Sequence, residues 1–340
     1  MSRSLASVVR PPRRPAAGGL PPHPIALAGV AVAAATLGAA GPDTPVAAVA
    51  IGLAGAVAVV GMPHGGLDHR YGRAVFGPSA GAWWPLPFLT TYLAVAAAVV
   101  VGWSVAPLAT TALFFLVSAA HFAETESGPR WRATLFGGMV IWLPLLARPA
   151  ETVGLLGWVA PAGADFASAA TAVRPLVGLL AGVAAAVWVV EFARACRRSD
   201  AAGVADGVRL AAFAGMFCLA PVLVSFAVAF AGWHSWAELN RLARRADPED
   251  PAAGLKRVLK DAAPLSLLAS LLCVAGALVL GGGHSLAPAV VQAVFVGLSA
   301  VAVPHILLHA VAARRGADPF AGGGAWLSTT SSPAAASRPG

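Results

Sequence analysis

Charged residues are scarce in this chain of 340 residues. Asp, Glu, Lys and Arg together make up 11% of it, hydrophobic residues make up 58%, and the mean hydropathy is +0.75. In a water-soluble globular domain about a quarter of the residues are charged. The composition therefore excludes that class of protein and predicts a chain that folds in lipid.

Cysteine and lysine are also rare. The three cysteines are scattered without any CxxC spacing, which excludes a disulfide framework and a zinc knuckle. Of the 23 basic residues 21 are arginine, and nearly all of them lie in the terminal tails or between apolar runs. The formal charge of +8 is thus explained by membrane topology, and no nucleic-acid partner is predicted.

Long apolar runs without alternating polarity make up most of the chain. A β-barrel would show strands of alternating hydrophobicity, so their absence excludes it. Runs such as 24–41 and 264–281 are long enough to cross a hydrocarbon core of roughly 30 Å as helices. The sequence predicts an all-α polytopic integral membrane bundle of about 8–10 transmembrane helices. The predicted segments are 24–41, 45–62, 83–103, 106–122, 132–147, 150–170, 175–193, 208–232, 264–281 and 287–311.

Three regions are predicted from the same pattern. Residues 1–23 are rich in arginine and proline and are predicted to form a disordered tail. Residues 24–313 form the transmembrane domain. Residues 314–340 are rich in Gly, Ser, Ala and Pro and are predicted to be a second disordered tail.

The positions of the basic residues predict the topology. If all ten segments cross and the N-terminus is inside, 18 basic residues lie inside and five outside; if segment 150–170 does not cross, the count is 12 against 11. The positive-inside rule favours the even number of crossings, with both termini cytoplasmic and the chain in the cell membrane. The cluster Arg194, Arg197 and Arg198 falls outside in this topology and does not fit the rule.

Six of the eight histidines lie at or near the ends of four apolar segments. In the topology with ten crossings these four segments run in the same direction, so their motifs reach the same depth and can form a common site. With nine crossings His234 would lie roughly 30 Å from His64 and His121. The motifs are Gly61-Met62-Pro63-His64-Gly65-Gly66-Leu67-Asp68-His69, Ser118-Ala119-Ala120-His121-Phe122, His234-Ser235-Trp236-Ala237-Glu238 and Pro304-His305-Ile306-Leu307-Leu308-His309.

These residue types indicate a metal centre. The pairs His234/Glu238 and His305/His309 have i,i+4 spacing, which places each pair on one face of a helix. Imidazole nitrogens with an occasional carboxylate suit Fe(II) or Zn(II). The candidate ligands are His64, His121, His234, Glu238 and His305, the candidate outer acceptors are Asp68 and Glu124, and His309 is an alternative ligand. Glu238 also fits the start of a solvated helix face, and His309 an interfacial position.

At these motifs the chain resembles the Brp/Blh family of β-carotene dioxygenases, membrane enzymes that cleave β-carotene at its central double bond to give retinal. Residues 61–68 are similar to the family signature G-[LM]-P-H-G-[AG]-x-D, and Ser118-x-x-His121-Phe122 and Pro304-His305 also look like family features. The resemblance spans roughly residues 50–310.

The resemblance implies an iron centre held by four histidines. Three of them match His64, His121 and His234 here. The family's H-S-x-R-H box reads His-Ser-Trp-Ala-Glu in this chain, so Glu238 takes the fourth ligand's place, with His305 or His309 as replacements. The resemblance further implies Fe(2+) as cofactor, β-carotene or a related carotenoid and O₂ as substrates, and delivery of retinal to a rhodopsin.

Two other functions are compatible with the sequence. One is an inactive carotenoid- or retinal-binding or transport protein, in which the Glu238 change has abolished the enzyme. The other is a lipid desaturase or hydroxylase of the di-metal type. Such enzymes carry HxxxH and HxxHH boxes, and only His305-x-x-x-His309 has one of these spacings.

Overall fold

The computed structural model describes residues 46–160, 164–281, 285–317 and 319–320. Within these ranges the chain is helical and contains no strand, which confirms the predicted all-α class. The predicted tail 1–23, the apolar segment 24–41 and most of the tail 314–340 lie outside the described residues.

The described helices include two short π-helical segments, in which backbone hydrogen bonds join residues i and i+5. In chain order the elements are α1 (Val46–Ala56), π1 (Val57–Gly61), α2 (Met62–Gly65), α3 (Asp68–Ala80), α4 (Pro85–Val105), α5 (Pro107–Phe122), α6 (Arg130–Gly137), α7 (Met139–Ala147), α8 (Pro149–Val159), α9 (Phe166–Arg197), α10 (Ala201–Leu219), α11 (Val222–Ala227), π2 (Val228–Ser235), α12 (Trp236–Ala246), α13 (Pro251–Gly281) and α14 (Leu286–Arg314). Single 3₁₀ turns cover Gly81–Trp83 and Ala123–Thr125.

Eight helical stretches in the described ranges are long and apolar enough to cross a membrane. Large apolar side chains such as Leu93, Leu179 and Leu272 are more than 60% exposed on the outside of the bundle, where lipid would cover them. The most buried stretch is α14, which packs against α1, α3, α4, α8 and α13. The chain is thus a multi-pass membrane bundle built around α14.

The prediction that segment 150–170 crosses the membrane is wrong. Within it α8 has only 11 residues, about half of what a crossing needs, and the next helix begins at Phe166. At Arg148 α7 and α8 meet at a bend of 116°. Arg148 pairs with Glu151, which also accepts a hydrogen bond of 2.7 Å from the Val222 backbone N–H. The predicted segment is therefore broken and does not form a membrane-spanning helix of its own.

The prediction of one crossing at 208–232 is also wrong, because this segment contains parts of two helices. The chain leaves α10 at Leu219 and starts α11 at Val222, with Pro221 between them. The extra crossing offsets the one lost at 150–170. His234 therefore returns to the same end of the bundle as His64 and His121, although for a different reason from the one predicted.

The same correction explains the arginine cluster at the end of α9. Glu191 of α9 accepts a hydrogen bond of 2.7 Å from Arg132, which follows the His121 motif closely in the chain. Arg194 and Arg198 line a cleft together with Arg132. The cluster therefore lies at the histidine end of the bundle, where the other basic segments also lie.

Close helix packing accounts for Gly66. A Cβ at this position would lie 2.6 Å from Ser266 Oγ and 2.7 Å from the Ala262 carbonyl oxygen, both in α13. The backbone φ of Gly66 is −66°, which any residue can adopt. Glycine is thus required by the approach of α2 to α13, which holds the His64 motif against the bundle.

Candidate metal centre

Four histidine side chains from four separate helical stretches meet at one end of the bundle. The ring centroid of His64 lies 6.0 Å from that of His121, 5.5 Å from that of His234 and 5.8 Å from that of His305. His121 lies 4.5 Å from His234 and 5.4 Å from His305. His121, His234 and His305 are each less than 9% exposed. The sequence prediction that these histidines converge therefore agrees with the geometry.

The ring nitrogens are close enough to share an ion. One nitrogen from each of His64, His121 and His305 lies within 4.8 Å of the others, and Nε2 of His234 lies 3.0 Å from Nε2 of His121. Imidazole nitrogens bind a first-row metal at about 2.0–2.1 Å, so two ligands of one ion stand about 3–4 Å apart. A first-row divalent ion fits the nitrogens of His64, His121 and His305, and His234 lies beside them in contact with His121.

Both π-helical segments lie at this centre. His64 is three residues beyond the end of π1, and His234 lies inside π2. π-Helical turns are rare and recur at functional sites, because the wider turn shifts side chains relative to a regular α-helix. Here they adjust the directions in which two histidines leave their helices.

Hydrogen bonds on the Nδ1 side orient two of the rings. His64 Nδ1–H donates to the Gly61 carbonyl within its own helical turn. His234 Nδ1 lies 3.4 Å from the Thr125 hydroxyl oxygen. A partner at Nδ1 leaves Nε2 as the free nitrogen, as is usual for metal-binding histidines.

His305 has the strongest outer partner. Its Nδ1–H donates to Asp68 Oδ1 at 2.6 Å, and the Tyr92 hydroxyl donates to Asp68 Oδ2 at 2.9 Å. Asp68 is 3% exposed. A buried carboxylate bonded to an imidazole N–H fixes the tautomer and raises the basicity of the other nitrogen.

We expect Asp68→Asn to weaken metal binding while the fold is kept. The amide has the same shape but no charge, so His305 loses a charge-assisted hydrogen bond and its preferred tautomer. Loss of such an outer partner lowers metal affinity about 10- to 100-fold. Chelator competition on the purified protein measures the change. Tyr92→Phe, which removes only the second hydrogen bond, is expected to have a smaller effect, and equal effects of the two variants would contradict this role of Asp68.

Glu124 lies near His121 without a hydrogen bond to it. Its Oε2 is 3.7 Å from His121 Nδ1, and its side chain is half exposed. This position fits the predicted outer acceptor, but the contact is longer than the one between Asp68 and His305.

Glu238 is not brought into the histidine cluster. Both of its carboxylate oxygens contact the Arg241 guanidinium, one of them at 2.7 Å from Nε. The i,i+4 spacing from His234 assumed a regular α-helix, whereas π2 covers His234 and ends at Ser235. Glu238 lies in the first turn of α12, and its carboxylate pairs with Arg241 of the same helix instead of turning to His234. In the described residues, His305 offers the fourth imidazole instead.

His309 lies next to the cluster rather than in it. Its ring stacks on Tyr71 at 3.8 Å, and its Nε2 is 3.5 Å from Asp68 Oδ1. Asp68, His305 and His309 form a second group with ligand atoms within 4.8 Å of one another. Asp68 already accepts a hydrogen bond from His305 Nδ1–H. His309 is therefore placed to hold the Asp68 carboxylate in position.

A large apolar cavity opens beside the histidines. Its volume is about 670 Å³, and His64, His121 and His305 form part of its wall. Along α14 the lining extends from His305 back to Gln292, 13 residues or about 20 Å. Most of the remaining wall is apolar, with Phe88, Leu93, Trp103, Phe114, Phe226 and Phe230 among the larger side chains. The histidine cluster thus faces a long apolar chamber.

Tyr92 and Thr125 contact the site but were not predicted from the sequence. Tyr92 is one of only two tyrosines and lies in the middle of an apolar helix, which marks it as a costly polar group. Thr125 lies four residues beyond His121, just after the end of α5. Nothing in the sequence indicates that it contacts His234, 109 residues later.

Comparison with known proteins identifies the family. The model of the β-carotene 15,15'-dioxygenase family matches residues 55–312, about three quarters of the chain, and covers all four histidine motifs. No curated protein and no solved structure matches the chain. With the histidine motifs in their expected order and a match over most of its length, this chain belongs to the β-carotene 15,15'-dioxygenase family.

Proposed function

We propose that this chain is an iron-dependent oxygenase that cleaves β-carotene, or a related carotenoid, at its central double bond with O₂ to give retinal. The observation that carries the proposal is the position of the histidine cluster in the wall of a long apolar cavity. Family membership supports a dioxygenase-type activity. The metal, the substrate and the cleavage position are the proposed parts.

The ligands proposed for the metal are His64, His121, His234 and His305. Four neutral nitrogens without a carboxylate suit Fe(II), and a histidine-rich site with open positions is compatible with O₂ activation. Bound iron would supply a place to bind and polarise O₂ beside the polyene. Asp68 holds His305, and Gly61 holds His64, in the orientation that this binding requires.

The cavity wall supports a rod-shaped apolar substrate. Leu89 and Leu93 of α4 and Leu268 and Leu272 of α13 line the cavity and are also 47–64% exposed on the outer surface. These side chains therefore face both the cavity and the surrounding lipid. A carotenoid dissolved in the bilayer would enter between them without passing through water, and the aromatic wall would hold its double bonds next to the histidines.

The proposed cellular setting follows from the topology. The basic residues cluster at the histidine end, so the positive-inside rule places this end and both termini on the cytoplasmic side of the cell membrane. Retinal released into the bilayer would be available to a rhodopsin in the same membrane.

One alternative is an inactive protein that binds or transports a carotenoid or retinal. It requires that the replacement of a ligand histidine by Glu238 has abolished the metal centre. Since His305 offers a fourth imidazole and Glu238 is paired with Arg241, we favour the enzyme. The desaturase alternative needs a pair of metal ions held by repeated histidine boxes. The ring centroids of the four central histidines lie within about 6 Å of the His64 ring, and three of them form one ligand group, which favours a single ion.

Expression in a bacterium that accumulates β-carotene tests the proposal directly. We expect loss of the pigment, appearance of retinal on chromatography, and about one iron per chain in the purified protein. His64→Ala and His121→Ala are expected to abolish all three results. Pigment that stays intact with bound iron would favour a carotenoid-binding protein, and protein without iron would contradict the proposed centre.

A further inference from the structure

Arg209 is a buried charge that the proposed mechanism has not used. It lies in α10 with 2% of its surface exposed. A charged residue inside a membrane helix is costly, so one that is retained usually serves a function. Arg209 contacts two segments. One includes Thr125, which lies next to the His234 ring, and the other is π2, which contains His234.

The first contact reaches the Thr125 segment. Arg209 Nη1 and Nη2 donate to the two carboxylate oxygens of Glu126 at 2.9 and 2.6 Å. The residue before Glu126 is Thr125, whose hydroxyl donates to the Phe122 carbonyl at 3.0 Å. Because this uses its only proton, the Thr125 oxygen accepts from Nδ1–H of His234, 3.4 Å away. That tautomer leaves the His234 Nε2 lone pair free for a metal.

The second contact reaches the π-helix of His234 itself. The Arg209 guanidinium carbon lies 4.2 Å from the ring centroid of Trp233, the residue before His234. A guanidinium over an indole ring makes a stabilising cation–π contact, which is stronger when the cation is desolvated. The Trp233 Nε1 atom is buried without a hydrogen-bond partner in the described part of the chain. The contact with Arg209 therefore supplies the main polar interaction that holds this ring.

We propose that Arg209 is a positioning residue for His234. By joining the Thr125 segment to π2, it holds the His234 ring with Nδ1 toward Thr125 and Nε2 toward His121. The inference rests on the proposed function only in that it takes the histidine cluster to be a metal site. Arg209 lies outside all four histidine motifs, and this role explains why a buried arginine is present there.

Arg132 provides a matched control. It is also buried at 7% exposure, pairs with Asp206 at 3.1 Å as Arg209 does at 2.8 Å, and lies over an aromatic ring, that of Phe136. Its ring contact is not with the π-helix of His234. Arg132 also donates to the Ser127 carbonyl at 2.8 Å, so its loss should disturb both the charge network and the Thr125 segment. The contact between Arg209 and π2 remains in that variant, and we expect it to keep the His234 ring in place.

The test is titration of the full-length, metal-free protein with Co(II), read by chelator competition and by the visible spectrum of bound Co(II). We expect Arg209→Met and Thr125→Val to lower Co(II) affinity about 10- to 100-fold and to change the spectrum. Thr125→Ser and Arg132→Met should keep the wild-type affinity and spectrum, even if Arg132→Met lowers the melting temperature.

Several outcomes separate this inference from the proposed function. If His64→Ala and His305→Ala lose Co(II) but Arg209→Met binds it as Arg132→Met does, the inference is overturned and the metal centre stands. If the histidine variants keep their affinity, both proposals fail. Should Arg209→Met not fold, Arg209→Lys decides, because lysine keeps the charge but not the flat stacking face or the paired N–H donors. If Arg209→Lys and Thr125→Val, each tested alone, both bind Co(II) with wild-type affinity, the inference is overturned.

Discussion

His305→Ala is expected to abolish both iron binding and retinal formation, whereas Glu238→Gln is expected to leave both close to the wild-type level. His305 is buried, offers a ring nitrogen to the cluster and is held by Asp68. Glu238 is held by Arg241 instead. Loss of a ligand should cost more than loss of an outer partner, so we expect a decrease in activity of more than about 100-fold for His305→Ala.

The two variants are compared by iron content per chain and by retinal yield in cells that produce β-carotene. Glu238→His provides a further control, because it restores the histidine of the family's H-S-x-R-H box. If Glu238→His raises the iron content or rescues His305→Ala, Glu238 occupies a ligand position and the assignment of His305 is wrong. Equal losses in His305→Ala and Glu238→Gln would indicate a centre with both ligands.

The histidines were predictable from the sequence because each motif stands out against an apolar background. Imidazoles are costly in lipid, so four at the ends of apolar segments indicate a shared site. The role of Glu238 was not predictable, since the i,i+4 rule assumes a regular α-helix and nothing in Val228–Ser235 indicates a π-helix. The residue types of the site could thus be predicted from the sequence, whereas its local backbone geometry could not.

Between His121 and His234 the predicted membrane segments contain two errors that offset each other. Segment 150–170 is apolar enough to resemble a crossing, but Pro149 and the Arg148–Glu151 pair form a bend within the helical region. The break at Pro221 lies inside a continuous apolar run, so composition alone does not reveal it. One sign of the error was visible in the sequence. The predicted topology placed the cluster Arg194, Arg197 and Arg198 outside, whereas the positive-inside rule favours the inside for basic residues.

Filling the cavity next to the metal centre is expected to stop carotenoid cleavage without loss of iron. Ala269 of α13 lines the cavity about one turn beyond Ser266, the residue that packs against Gly66 of the His64 motif. In Ala269→Phe the ring would project into the space proposed for the polyene, and a displacement of about 1 Å at the reacting bond is enough to lower the rate about 100-fold. No proposed ligand lies on α13, so the iron content should not change.

Ala275→Phe is the matched control, because Ala275 lies on the same helix, is exposed to the lipid side and does not line the cavity. Both variants are measured for retinal formation and for iron per chain, with the melting temperature as a check of folding. We expect Ala275→Phe to behave as the wild type. A fully active Ala269→Phe would show that the substrate lies elsewhere, and a loss of iron in this variant would mean that the cavity wall and the histidine centre are mechanically coupled. The proposed route places the polyene against α13 because the cavity, the lipid-facing leucines and the histidines are contiguous there.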